Sequence, residues 1–198
     1  MENMLRRFVK LIVEEPLLMK LIQEELQKKG DPGSLSIVKN VDKDGIFSGL
    51  SRILITEDCR IYLLDYNDQE LNIPGFQARA LYILYLLCPR AISNKELTEY
   101  KAELIQIYHE ICKNRQFDIF RAETVVEGFF NRKGGIPDAT NNIKLALNRI
   151  IKDKQILKEY VISGKRKAER KVMLPRKMVI VQNEVLKRIM KKLSNKEL

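Results

Sequence analysis

The chain has 198 residues, 45% hydrophobic and 31% charged, which is enough apolar material for a packed core and excludes a disordered composition. Lys and Arg number 36 against 26 Asp and Glu, and the net +10 is unevenly placed: residues 141–198 hold 17 Lys/Arg against 5 Asp/Glu, residues 1–140 hold 19 against 21. Three separated cysteines (Cys59, Cys88, Cys112) and a single histidine (His109) speak against a disulfide framework or a metal-ligand cluster, and no apolar run suits a membrane span or a secretory signal, so a cytoplasmic location is expected.

From the N-terminus, Met1–Lys29 reads as helix interrupted at Pro16, with apolar faces at Leu5, Phe8, Val9, Ile12 and at Leu17, Leu18, Leu21, Ile22, Leu26. Gly30-Asp31-Pro32-Gly33 stops it, so residues 1–33 form a helical appendage that packs on the main domain or on a second copy of the chain. Leu35–Gly75 is β-like. Leu50–Thr56 and Arg60–Leu64 are aliphatic runs joined at hairpin length by Glu57-Asp58-Cys59, with further short strands at Leu35–Val38 and Glu70–Ile73, and together they predict a small antiparallel sheet.

Phe76–Cys88 is apolar around most of its circumference and predicts a central buried helix ended by Pro89. Ser93-Asn94-Lys95-Glu96 has capping-box form and starts a helix with Leu97, Tyr100, Leu104, Tyr108 and Ile111 on one face. Phe117–Phe130 is ambiguous, with a short helix at most around Ala122–Glu127, and Asn131–Pro137 reads as a loop. Its Gly134-Gly135 lacks the spacing of a phosphate loop.

Thr140 is a fitting N-cap for a helix over Asn141–Asp153, with Ile143, Ala146, Leu147, Ile150 and Ile151 on the buried stripe. The opposite face carries Asn141, Asn148, Arg149 and Lys152, with Lys144 at its edge and Leu145 on the same side. Those polar side chains suit phosphates and base edges, and Leu145 suits a thymine methyl or a neighbouring segment. Tyr160–Ser163 and Arg170–Leu174 then read as a hairpin around a basic tip, giving Lys165, Arg166, Lys167, Arg170 and Lys171 as further candidates for contact with nucleic acid. A helix followed by a cationic hairpin is the order of recognition helix and wing in a winged helix, where the helix enters the major groove. The competing readings are a solvated amphipathic helix and a lysine-rich turn that discourages edge pairing.

This order of elements resembles the DNA-binding effector domain of OmpR-type response regulators across roughly Leu50–Val181. A closer resemblance is to a group of Bacteroidetes proteins, carried by RALYILYLLCPRAISNKELTEYKAELIQIY (Arg79–Tyr108), NNIKLALNRI (Asn141–Ile150) and YVISGKRKAERKVMLPRKMVI (Tyr160–Ile180). No activity attaches to that group, so it implies organisation more than function. The chain departs from the regulators in having no receiver domain before the effector-like part, and in an insertion at 117–137 that stands beside the recognition helix.

The expectation is an α+β, winged-helix-like chain: an appendage at 1–33, a domain at 34–181 with a small antiparallel sheet, a three-helix core and a C-terminal hairpin wing, and a helix at 182–198. The expected function is non-enzymatic binding of double-stranded DNA in transcription regulation, without cofactor, metal or membrane. The alternative is a winged-helix interaction module. The N-terminal helices and the C-terminal helix, with Val185, Leu186, Ile189, Met190 and Leu193, are the candidate faces for a homodimer. Asp65 and Asp68 beside Tyr66 read as turn residues, and no nucleophile–base pair has recognisable spacing.

Overall fold

Ile53–Ile55 (β1) and Ile61–Leu63 (β2) pair antiparallel, with Ile53 opposite Leu63, as the aliphatic alternation predicts. Their turn is closed by Thr56 and Arg60, and Cys59 takes the left-handed conformation at φ 59°. The structure is a computed structural model that describes residues 50–93, 95–113, 118–132, 134–164 and 169–195, so the expected helices of 1–33 and the strand at 35–38 lie outside the described residues. The chain divides into two compact units, Met1–Ser51 with Asp65–Asn67, and Arg52–Leu64 with Asp68–Leu198. In the first, the Ser51 hydroxyl accepts from the Asp65 N–H at 2.9 Å. All that follows concerns the second.

Gln69–Glu70 (β3) pairs with β2, and Val179–Val181 (β4) lies parallel to β1, giving a mixed sheet of order β3-β2-β1-β4. The expected antiparallel sheet is corrected by β4. A parallel partner drawn from far along the chain leaves no local turn signal. Ile53, Ile55, Ile61 and Leu63 are buried and alternate with half-buried Leu54 and Tyr62, the two-residue period of a strand.

Phe76–Leu87 (α1) is the central helix, with Ala78 and Ala80–Leu87 all buried. It ends at Cys88, whose extended backbone (φ −81°, ψ 124°) is what a residue before proline must adopt. The capping box at Ser93 forms as expected: the Ser93 N–H donates to Glu96 Oε2 at 2.8 Å and the Glu96 N–H donates to Ser93 Oγ at 3.2 Å. A 3₁₀ turn at Glu96–Tyr100 leads into Lys101–Cys112 (α2).

The region read as ambiguous is a full helix, Ile119–Asn131 (α3), capped by the Asp118 carboxylate on the Arg121 N–H at 2.7 Å. Its buried residues Ala122, Val126 and Phe129 sit at i, i+4 and i+7. Gly135–Ile150 (α4) and Lys154–Tyr160 (α5) follow, and Glu184–Asn195 (α6) closes the chain. Helix α1 packs against α2, α4 and α6, and α3 bridges α2 and α4. The expected three-helix core of α1, α2 and α4 is therefore joined by α3 and α6. Leu186, Ile189 and Leu193 of α6 are buried within the chain's own fold, which takes that apolar face out of the candidates for a homodimer contact.

Asn183 joins three of these parts. Its Oδ1 accepts from the Leu186 N–H at 3.0 Å, capping α6, while its Nδ2 donates to Glu57 O at 2.8 Å and Glu110 Oε2 at 3.1 Å. Glu103 on α2 is 2% exposed and pairs with Lys192 of α6 at 2.9 Å. Asn183→Ala removes a cap and leaves buried polar groups without their donor, so a loss of about 1–3 kcal/mol is expected in urea unfolding with an unchanged m-value.

Burial pushes the Cys59 thiol up to about 12, and the Glu110 and Asp58 charges act in the same direction. The folded thiol thus holds its proton more tightly than the unfolded one. Its contribution is complete below the unfolded value near 9.0 and is lost as the pH rises toward 12. Stability should fall across that interval, and less steeply in Cys59→Ala, as measured by urea titrations on both sides of its lower edge.

Candidate nucleic-acid interface

Helix α4 begins at Gly135, five residues before Thr140. Gly134 precedes it in the left-handed conformation at φ 91°, and the Gly135 N–H donates to Arg132 O at 3.0 Å, so three residues turn α3 into α4. A Cβ on Gly135 would run into the Phe129 carbonyl oxygen, so only glycine lets the two helices approach this closely. Pro137 fits the first helical turn because its missing N–H has no intrahelical partner there. The Gly-Gly-Ile-Pro run expected as loop is therefore a turn plus a helix start. Thr140 is internal, its hydroxyl donating to Ile136 O at 2.9 Å.

Gly135, Ala139, Ile143, Ala146 and Leu147 are the buried stripe of α4. Its other face presents Asn141, Lys144, Asn148 and Arg149, all exposed, with Leu145 half-exposed among them at 50%. Asp138 is the one carboxylate of that face and lies in the first turn, where the positive end of the helix dipole favours it. The helix ends at Ile150, so Lys152 lies just beyond it, and its ammonium turns back to donate to Asn148 O at 3.2 Å. The expected bound at Asp153 is corrected by this. Asp153 instead caps α5, accepting from the Gln155 N–H at 2.7 Å and the Ile156 N–H at 3.2 Å.

The hairpin is shorter than expected. Helix α5 runs through Tyr160, so Tyr160–Ser163 is not a strand: only Ser163 pairs, exchanging hydrogen bonds with Lys171 at 2.9 and 3.0 Å. Seven residues with buried Leu157 and Tyr160 are too short a helical period to stand out in sequence. Next to Lys171, Arg170 exchanges hydrogen bonds with Ile92 at 2.8 and 2.9 Å. Ile92, the 170–171 pair and Ser163 thus form a narrow three-stranded ladder that fastens the hairpin to the α1–α2 connection. Gly164, at φ 151°, has no room for a Cβ against Glu169 O. Lys165, Arg166 and Lys167 at the tip lie outside the described residues. Lys171 is exposed, whereas Arg170 is half-buried with its Nε enclosed, so only part of its guanidinium is open to a ligand.

Among the described residues there is no metal-ligating cluster of three or more His, Cys, Asp or Glu, and no helix is long and apolar enough to cross a membrane. No protein-family model, curated protein or solved structure matches the chain. Sequence reasoning missed Asn183 and the Gly135 contact, although an Asn before Glu184 and a paired glycine before a proline are both legible start signals. The burial of Glu103 has no such signal, because its neighbours on α2 leave it on a face that looks half-polar.

Gly135 and Gly128 make a paired test. Gly135→Ala should destabilise by about 1–3 kcal/mol by forcing α3 from α4. Gly128→Ala, on α3 with open space where its Cβ would go, should stabilise by about 0.5–1 kcal/mol. Thermal unfolding of both variants checks the close approach.

Proposed function

We propose that the chain binds double-stranded DNA as a winged-helix-like protein, with α4 lying in the major groove and the 163–171 hairpin as the wing. The single observation that carries this reading is the outer face of α4: one carboxylate, with Lys144, Arg149, Asn141 and Asn148 exposed together at helical spacing. A solvated face of an ordinary helix mixes acids and bases, whereas this one offers cations for phosphates and amides for base edges. The ladder from Ile92 to Ser163 supports it, since it holds the hairpin on the helical core rather than leaving it as a free turn. The α3–α4 turn supports it also. The stretch read as an insertion beside the recognition helix supplies the helix before α4 and its glycine turn, and the α4 face is exposed. The net +12 of residues 141–198 gives the long-range attraction.

Affinity for a duplex should fall steeply as salt rises from about 50 to about 200 mM, by roughly one unit of log–log slope for each phosphate neutralised. Replacing Lys144, Arg149 and Lys152 together by Ala should weaken binding at least tenfold at about 50 mM salt and flatten the slope by about 3. Asn148→Ala should shift sequence preference more than overall affinity. Fluorescence anisotropy with a panel of duplexes reads all three. Absence of binding at low salt, or a triple variant that binds like the parent, overturns the proposal. A second reading, an interaction module, is favoured by Phe120 and Ile119, 75% and 43% exposed at the start of α3. A stable protein partner lost on Phe120→Ser, with no DNA binding, decides for it.

A further inference from the structure

A cavity of about 230 Å³ opens between the last turn of α1 and the strand that leaves the hairpin. Tyr85, Cys88, Lys171, Met173, Leu174 and Arg176 are among its lining. Tyr85 is 3% exposed, and its hydroxyl is buried with no hydrogen-bond partner. The Arg170 charge acts on that phenol, and Arg170 Nε is likewise buried and unpartnered. Buried polar groups are rarely left so, because each forfeits the hydrogen bonds it made to water. Burial pushes the phenol up to about 12, against the pull of Arg170, so at neutral pH it is a proton donor.

The unmet groups and the charges around the cavity are donors and cations, and among the described residues no carboxylate lines it. What is missing is an acceptor with negative charge. The negative end of the α1 dipole is close, but it carries about half a charge against the two formal charges of Lys171 and Arg176. Met173, Leu174 and their neighbours supply apolar wall, and a cavity of about 150 Å³ already holds a benzene ring.

We infer that this cavity is a binding site for a small carboxylate bearing a compact apolar group. The Tyr85 hydroxyl donates to the carboxylate, Arg176 and Lys171 balance its charge, and Met173 and Leu174 take the apolar part. The site stands whether or not the hairpin contacts DNA. Its ceiling is also its distinguishing feature: it selects an anion by charge and a small body by volume.

The test titrates the full chain with sodium benzoate, and with benzamide as its uncharged counterpart, by NMR of methyl-labelled methionine followed at Met173. Saturable benzoate binding is expected, with benzamide at least about tenfold weaker, since it keeps the ring and loses the charge. Tyr85→Phe should weaken benzoate by about tenfold while leaving the melting temperature unchanged or raised, because it deletes a buried hydroxyl that has no partner in the empty site. No saturable benzoate shift, equal binding of the amide, or unchanged benzoate affinity in Tyr85→Phe each overturns the inference. So does a lowered melting temperature in Tyr85→Phe, which would mean the hydroxyl already holds a structural bond.

Discussion

The burial of α1 sets the position of almost everything else in this fold. From Ala80 to Leu87 no residue of the helix keeps an open face, so its surroundings must come from other elements: α2, α4 and α6 all pack on it. Its one polar commitment in the interior is the Tyr82 hydroxyl, which donates to Tyr160 O at 2.9 Å. That bond ties the end of α5 to α1. It thereby fixes where the chain leaves α5 and enters the hairpin, and burial of the phenol keeps it protonated and donating. The ladder at Ile92 fixes the other side of the hairpin to the exit of the same helix.

The candidate interface is a consequence of that arrangement. Helix α4 gives its small and aliphatic stripe to α1 and α3, and what remains outward is mostly polar, with Lys144 and Arg149 against one carboxylate. Close packing against α3 depends on a bare backbone at Gly135, so the direction of α4 is set by one residue that has no side chain to offer. Individually its exposed cations gain little by facing water. In the proposed contact with DNA, their value as a group lies in being held together on a rigid helix beside an anchored hairpin.

Buried polar groups divide into two kinds in this protein. Asn183 is satisfied across elements, joining the β1–β2 turn, α2 and α6, and Glu103 ties α2 to α6 through one carboxylate oxygen on Lys192. Tyr85 and Arg170 Nε are not satisfied; Tyr85 lines the cavity at the end of α1, and the Arg170 charge acts on its phenol. The first kind specifies which faces meet. The second kind is a site of unmet demand that the fold tolerates.

By itself the sequence determined the buried helix at Phe76–Cys88, the hairpin around Cys59, the capping box at Ser93 and the placing of charge after residue 141. Each of these is written in neighbouring residues: an unbroken apolar run, an alternating pair, a Ser three positions before a Glu, a count of lysines. Tertiary structure alone decided that Val179–Val181 lies parallel to β1, that α3 is a full helix and that α6 buries its own apolar face. These depend on contacts between residues far apart in the chain. The outer face of α4 was legible because a helical period maps sequence onto direction. The hairpin's true length was not, because α5 captured Tyr160 through a bond to a helix nearly eighty residues earlier.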